Sequence, residues 1–330
     1  MNETFNVVIA RAAENGTTVT LEKMSVADLP EYDVQIEIAY SSLNYKDALA
    51  VTASAPICRR LPMVCGIDLA GKVVESNSAD WQVGDRVLVN GFGLSETEWG
   101  GYTQRQAVKP EWLVRTPDAI SEQQAMAIGT AGYTAMLSVL ALQDHGVTPV
   151  SGPVLVTGAS GGVGSVAIML LAKLGYEVTA VSGRESMHDY LRQLGASALL
   201  PRDALSARSR PLEKEQWAAA IDSVGGQTLA TVLAQTKRDG IVAACGLAGG
   251  SDLPATVMPF ILRGVTLRGI DSVMASQAHR QRAWKALAST LDFDQLKLAT
   301  SVKPMSEIHS LAADLLAGQL RGRVVIDVNA

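Results

Sequence analysis

The run Thr157-Gly-Ala-Ser-Gly-Gly-Val-Gly164 limits the folds open to this chain more than any other stretch. It follows a continuous apolar strand, Val154-Leu-Val-Thr157, and opens a helix expected over Ser165 to Leu174 that stops at Gly175. Glycines at such a place let the backbone turn sharply and bring N–H groups close to a phosphate, and the helix N-terminus adds about half a positive charge. A packing turn uses glycine too, but the order strand, turn, helix is what a dinucleotide site requires. The alternation continues with a strand Glu177 to Val181, a helix Met187 to Leu194 stopping at Gly195, and strands at Ala219 to Asp222, Gly240 to Ala244 and Val265 to Ile270. Apolar strands joined by helices form a parallel, doubly wound α/β sheet, which binds ligands at the C-terminal ends of its strands.

The end of the second strand selects the dinucleotide. An NAD site usually places Asp or Glu there for the ribose 2′-hydroxyl. This chain reads Val181-Ser-Gly-Arg184, with no carboxylate before Glu185. A guanidinium flanked by small polar residues suits a 2′-phosphate, so NADPH is the expected cofactor. The expected contacts are Ser160, Gly161, Gly162, Val163, Gly164, Ser182, Gly183 and Arg184, with Arg202 as a second phosphate partner. The eight residues from Thr157 also spell the TGxxxGxG of short-chain dehydrogenases. That reading fails, because the only later tyrosines, Tyr176 and Tyr190, have no Lys four residues on.

Before Pro117 the pattern differs. Val34 to Ile38, Ala70 to Val74 and Arg86 to Val89 read as short strands, the last after the turn Val83-Gly-Asp85. Ser121-Glu-Gln-Gln is a helix-start signature for an apolar helix running to about Leu142. A helix over Gln277 to Thr290 and a strand Val324 to Val328 close the chain. A length of 330 residues suggests two domains. Hydrophobic residues at 48% exclude a disordered chain. A net charge of −5 argues against nucleic-acid or anionic-membrane partners. Gln123 to Gln143 and His145 to Ala172 carry no charge, yet their glycines and the Gly152-Pro153 break mark buried soluble elements, not spans. Three scattered cysteines and no signal peptide point to a reducing, cytoplasmic setting.

Ser42-Leu-Asn-Tyr-Lys-Asp47, Gly66-Ile-Asp-Leu-Ala-Gly-Lys-Val73, Val83-Gly-Asp-Arg-Val87, Gly129-Thr-Ala-Gly-Tyr-Thr-Ala135 and the glycine turn occur in the order and spacing of the medium-chain dehydrogenases/reductases, which the chain resembles over nearly its whole length. The Asn-Tyr-Lys-Asp and Val-Ser-Gly-Arg pieces resemble the acrylyl-CoA reductase branch. The resemblance implies a GroES-like, β-rich catalytic domain over residues 1–124 and 272–330 and a Rossmann cofactor domain over 125–271. It implies NADPH-dependent reduction of acryloyl-CoA to propanoyl-CoA, and a homodimer made through the Rossmann domains. It places Tyr45 and Asn44 in catalysis, and Tyr45, Thr130, Thr134, Leu247, Ile270 and Ser272 beside the cofactor.

Zinc-dependent relatives hold their metal with a Cys near Asn44–Asp47 and a His-Glu pair near Gly66–Asp68. This chain has Tyr45 and Ile67-Asp68 there, and its four histidines, His145, His188, His279 and His309, have no ligand spacing. No metal is expected. Arg263, Arg268, Arg321 and Arg323 are read as mostly solvated charges, some within reach of coenzyme A phosphates. Two other readings stand beside the enoyl-thioester reductase: a quinone or small-enone reductase on the same scaffold, and a non-catalytic NADPH sensor.

Overall fold

The computed structural model describes residues 3–14 and 16–330. The first stretch builds β1 (Thr4–Ala13), β2 (Gly16–Ser25), β3 (Val34–Leu43), α1 (Tyr45–Val51), β4 (Met63–Val64), β5 (Asp68–Ser76), β6 (Arg86–Asn90), β7 (Arg105–Val108) and β8 (Val114–Arg115). Helix α2 (Glu122–Asp144) leads to the alternating part: β9 (Val154–Val156), α3 (Gly162–Lys173), β10 (Val178–Ser182), α4 (His188–Gln193), β11 (Ala198–Pro201), β12 (Trp217–Asp222), α5 (Gly226–Gln235), β13 (Thr236–Ala244), α6 (Met258–Arg263) and β14 (Thr266–Gly269). The chain closes with α7 (Gln277–Thr290), α8 (Phe293–Leu298), β15 (Thr300–Pro304), α9 (Ile308–Leu316) and β16 (Arg323–Asp327).

Contacts divide these elements into two compact units. The first holds the described residues to Thr130, Ser272–Ala288 and Ala299–Ala330; the second holds Ala131–Asp271 and Ser289–Leu298. The sequence reading gave all of 272–330 to the first. Ser289–Leu298 instead pack in the second, where α8 lies against α3 and Gln295 Nε2 donates to the Gln193 carbonyl at 2.8 Å.

The first unit has a three-stranded sheet, β2-β1-β4, and a seven-stranded sheet, β15-β16-β3-β5-β6-β8 with β7 also on β3. Val34, Ile36 and Ile38 alternate inward along β3 and are fully buried with Leu69, Val87 and Val89. Each such side chain contributes about 1.5–3 kcal/mol through burial. In the second unit the order is β11-β10-β9-β12-β13-β14, with every pairing parallel. Val154, Leu155 and Val156 of β9 have no exposed surface, as a strand covered on both faces requires.

Helix α2 begins with a reciprocal cap: Gln124 N–H donates to Ser121 Oγ at 3.2 Å, and Ser121 N–H to Gln124 Oε1 at 2.9 Å. It breaks at Gly129, where φ is +50° and ψ −164°. By length and composition this helix could cross a membrane, but 78% of its apolar window is buried within the protein. Helix α3 starts at Gly162, three residues before the expected Ser165, because the glycines form its first turn.

Candidate functional site

In the second unit the glycine turn lies between the end of β9 and the N-terminus of α3. Thr157 Oγ1 donates to Asp222 Oδ1 at 2.6 Å, and the Gly225 N–H donates to Asp222 Oδ2 at 2.8 Å. These bonds tie the end of β9 to the end of β12. Burial pushes the Asp222 carboxyl above its ordinary range, against the pull of Thr157 and the backbone N–H groups.

The expected phosphate ligands converge beside this turn. Arg184 Nη2 donates to Ser160 Oγ at 3.3 Å. The Arg184 N–H donates to Ser182 Oγ at 3.2 Å, and that hydroxyl donates to the Arg184 carbonyl at 3.2 Å, which fixes the loop after β10. Arg202, far off in sequence, lies across Gly183: a Cβ on Gly183 would stand 2.7 Å from its Nε and Nη2. Two guanidinium groups and two hydroxyls thus meet at the C-terminal end of β10, where an NAD site would carry a carboxylate. Glu185, the carboxylate nearest in sequence, is exposed. The donor set fits a 2′-phosphorylated dinucleotide.

Elsewhere in this unit, Leu247 is 63% exposed on the loop after β13, and Ile270 follows β14 with its N–H on the Ala244 carbonyl at 2.9 Å. Both lie at the same sheet edge as the glycine turn. Thr134 is buried in α2, its carbonyl accepting from Ser138 Oγ at 2.8 Å. Arg263 is a helix-end clamp: it donates to the carbonyls of Glu213, Ala234 and Thr236.

The first unit has a different centre, assembled around Asp68. Its Oδ1 accepts from Asn90 Nδ2 at 2.7 Å and from Thr130 Oγ1 at 2.5 Å. Its Oδ2 accepts from Ser42 Oγ at 2.5 Å, Asn44 Nδ2 at 2.9 Å and the Thr130 N–H at 2.8 Å. Asn44 is the hub beside it. Its amide nitrogen also reaches Asp47 Oδ2 at 3.0 Å, and its Oδ1 accepts from Arg323 Nη1 at 3.3 Å. Asp47, at the first turn of α1, accepts from the Asn44 and Ile67 N–H groups, each at 2.9 Å. Burial, with the Asp68 charge second, pushes the Asp47 carboxyl up to about 7.

Arg323 is 2% exposed, not solvated as expected. It donates from Nε to the Ala127 carbonyl at 2.8 Å, and its Nη2 has no hydrogen-bond partner among the described residues. Burial lowers its pKa while Asp68 and Asp47 hold it up. Gly129 admits this arrangement: a Cβ there would stand 2.6 Å from Arg323 Nη2, 2.7 Å from Ser42 Oγ and 2.9 Å from Asp68 Oδ2. Its positive φ also releases the next N–H, that of Thr130, from the helix toward Asp68.

Tyr45 is the first residue of α1 and 47% exposed. Tyr45, Asn44, Thr130 and Ser272 all belong to the first unit, and the Ser272 carbonyl is held by Arg280 Nη2 at 3.2 Å. The spacing of motifs did not reveal the Asp68 cluster. The available signal was a charge inside an apolar strand, as in Ile67-Asp-Leu-Ala70 and Arg323-Val-Val-Ile326.

The donors at this centre do not fit zinc. Both Asp68 oxygens are filled by N–H and O–H groups, and among the described residues no three His, Cys, Asp or Glu side chains gather as a metal site. His145 and His309 instead bond backbone carbonyls, of Asp239 and Val19.

The zinc-binding dehydrogenase family matches residues 162–290, and the alcohol dehydrogenase GroES-like domain matches residues 30–118. The acrylyl-CoA reductase AcuI of Ruegeria pomeroyi is 50% identical over 99% of this chain and 100% of its own. The putative quinone oxidoreductase YhfP of Bacillus subtilis is 42% identical over 99% of each chain. The crystal structure of the yhdH oxidoreductase from Salmonella enterica in complex with NADP superposes with a TM-score of 0.96 at 48% identity, over 98% of this chain and 99% of that one.

Proposed function

Because the chain belongs to the medium-chain dehydrogenase/reductase superfamily, we propose that it is a cytoplasmic enzyme that reduces the C=C bond of acryloyl-CoA to propanoyl-CoA with NADPH. The observation that carries this reading is the half-identical match to the Ruegeria acrylyl-CoA reductase over nearly all of both chains. The first unit is the catalytic domain and the second binds the cofactor.

When bound, NADPH supplies a hydride to the β-carbon of the thioester. Gly162, Val163 and Gly164 offer backbone N–H groups at the first turn of α3 to its phosphates, and Gly161, whose own N–H closes the turn on the Gly158 carbonyl, lets the backbone approach them as the N-cap. Ser160, Ser182, Gly183, Arg184 and Arg202 hold the 2′-phosphate. Thr130, Thr134, Leu247, Ile270 and Ser272 complete the contacts at the nicotinamide end. Tyr45 presents an exposed phenol that donates to nicotinamide or to the thioester oxygen. A preorganised donor of that kind is worth a few kcal/mol at a developing oxyanion. The proton reaching Cα comes from the Tyr45 hydroxyl or from water. Asn44, fixed by Asp47, Asp68 and Arg323, orients the start of the helix that carries Tyr45.

The protein acts as a homodimer. Val257, Ile261 and Leu262 around α6 are 65%, 71% and 47% exposed, close to β14 at the edge of the parallel sheet. Light scattering after size exclusion is expected to give twice the chain mass; a single chain mass contradicts the dimer.

The Bacillus relative's name supports a second reading, a quinone reductase on the same scaffold. Following NADPH oxidation with acryloyl-CoA, crotonyl-CoA and a simple quinone in parallel, with NADH as control, separates the readings. Fast turnover with acryloyl-CoA and NADPH supports the proposal. Turnover with quinone alone selects the second reading, and tight NADPH binding with no turnover makes the protein a sensor.

A further inference from the structure

In the second unit one carboxylate stands between the glycine turn and the loop after β13. Asp222, the last residue of β12, has no exposed surface, and Thr157, at the head of the turn, is buried beside it. The Ser223 N–H donates to Thr157 Oγ1 at 3.1 Å, so the hydroxyl's own proton goes to Asp222 Oδ1 at 2.6 Å. A backbone N–H, that of Gly225, fills Asp222 Oδ2 at 2.8 Å. Both oxygens therefore accept from groups that only donate to them. A carboxylate meets that demand, and an amide of the same shape does not.

The backbone of the same residue holds the neighbouring loop. The Asp222 carbonyl accepts from the Cys245 N–H at 2.8 Å and from Cys245 Sγ at 3.3 Å, at the start of the loop that carries Leu247. The Gly249 N–H donates to the Val224 carbonyl at 2.7 Å, and a Cβ on Gly246 would collide with the Ser223 carbonyl. On the other side, Ser223 Oγ donates to the Thr157 carbonyl at 3.2 Å, and a Cβ on Gly158 would collide with that hydroxyl. Residues 222–225 thus form a ledge, with the glycine turn bonded to one side and the 245–250 loop to the other.

We propose that Asp222 is a positioning residue for the cofactor, acting through Thr157: its side chain fixes the turn that meets the pyrophosphate, and its backbone fixes the loop whose Leu247 meets the nicotinamide. Asp222 itself touches neither group. The proposal rests on the reading of the glycine turn and Leu247 as NADPH contacts. Its signature differs from that of Arg184. Pyrophosphate and nicotinamide are common to NADPH and NADH, so loosening the ledge weakens both by the same factor. The 2′-phosphate rim is untouched, because the loop after β10 holds itself through Ser182 and the Arg184 backbone.

The test uses two variants that keep the shape of the side chain. Thr157→Val removes the hydroxyl, and Asp222→Asn sets an amide N–H against a donor. The full-length proteins, their fold checked by circular dichroism, are titrated by calorimetry with NADPH, NADH and adenosine 2′-phosphate, a probe that meets the rim and lacks the pyrophosphate. Both variants should bind NADPH and NADH about tenfold more weakly, with the ratio of the two affinities unchanged, as the loss of a buried bond to a charged group implies. Both should bind adenosine 2′-phosphate as wild type does. Thr157→Ser, which keeps the hydroxyl, should bind both dinucleotides nearly as wild type does. Wild-type affinity for both dinucleotides in Thr157→Val overturns the proposal. So does an equal loss for adenosine 2′-phosphate, or a serine variant as weak as the valine one. A wild type that binds neither dinucleotide overturns the cofactor reading, and the proposal with it, so the two failures are told apart.

Discussion

The two polar centres of this molecule are built in opposite ways. In the second unit, Ser160, Ser182, Gly183, Arg184 and Arg202 form an open rim at the end of a parallel strand, held mainly by loop backbone. In the first, Asp47, Asp68, Asn44, Ser42, Thr130 and Arg323 form a closed, largely buried network in which nearly every polar atom is bonded to another. The rim offers charge outward to a ligand and costs the fold little. The network spends its charge inward, so its members hold the fold together and fix the start of the helix that bears Tyr45.

The largest expected effect follows from that contrast. Arg323→Met leaves Asp68 and Asp47 buried without their cation. Removing one partner of a buried charge pair costs about 3–5 kcal/mol. Urea denaturation should show a loss of this size, and a loss below about 1 kcal/mol would mean the network is not electrostatically tied to Arg323.

A smaller effect comes from pH. Asp47 titrates at about 7 in the folded chain and at about 4 when unfolded. Between these values the folded state holds a proton that the unfolded state has lost. The contribution of this site is therefore full below about pH 4 and falls as pH rises toward 7, by at most about 1.4 kcal/mol per pH unit. Asp47→Asn stays neutral, so the difference in stability between wild type and variant should shift in favour of the variant from about pH 5 to 7. A difference that does not change with pH would contradict the raised pKa.

The same contrast explains what the sequence disclosed. The rim was legible because its parts are local: a glycine turn after an apolar strand, and Arg184 three residues after Val181. Helix α7 was read at its observed bounds, Gln277–Thr290, and the α2 cap was read from Ser121 and Gln124. The network was not legible, because Arg323 and Asn44 meet across 279 residues of sequence. No spacing rule links them, and an arginine near the end of the chain reads by default as solvated. The β1–β2 pairing was also missed, since Thr17, Thr18, Thr20, Glu22 and Lys23 break β2 up and leave no apolar run. Gly129 was read as part of a motif, but the reason for it, a kink pressed against Arg323 and Asp68, appears only in three dimensions.

The most direct test of the account is a titration of wild type and Arg184→Ala with NADPH and with NADH. The rim reading predicts that the variant binds NADPH about 10–100-fold more weakly, from about 1.5–3 kcal/mol for a charge-assisted bond, with NADH affinity nearly unchanged. Equal losses for both cofactors would contradict the assignment of Arg184 to the 2′-phosphate.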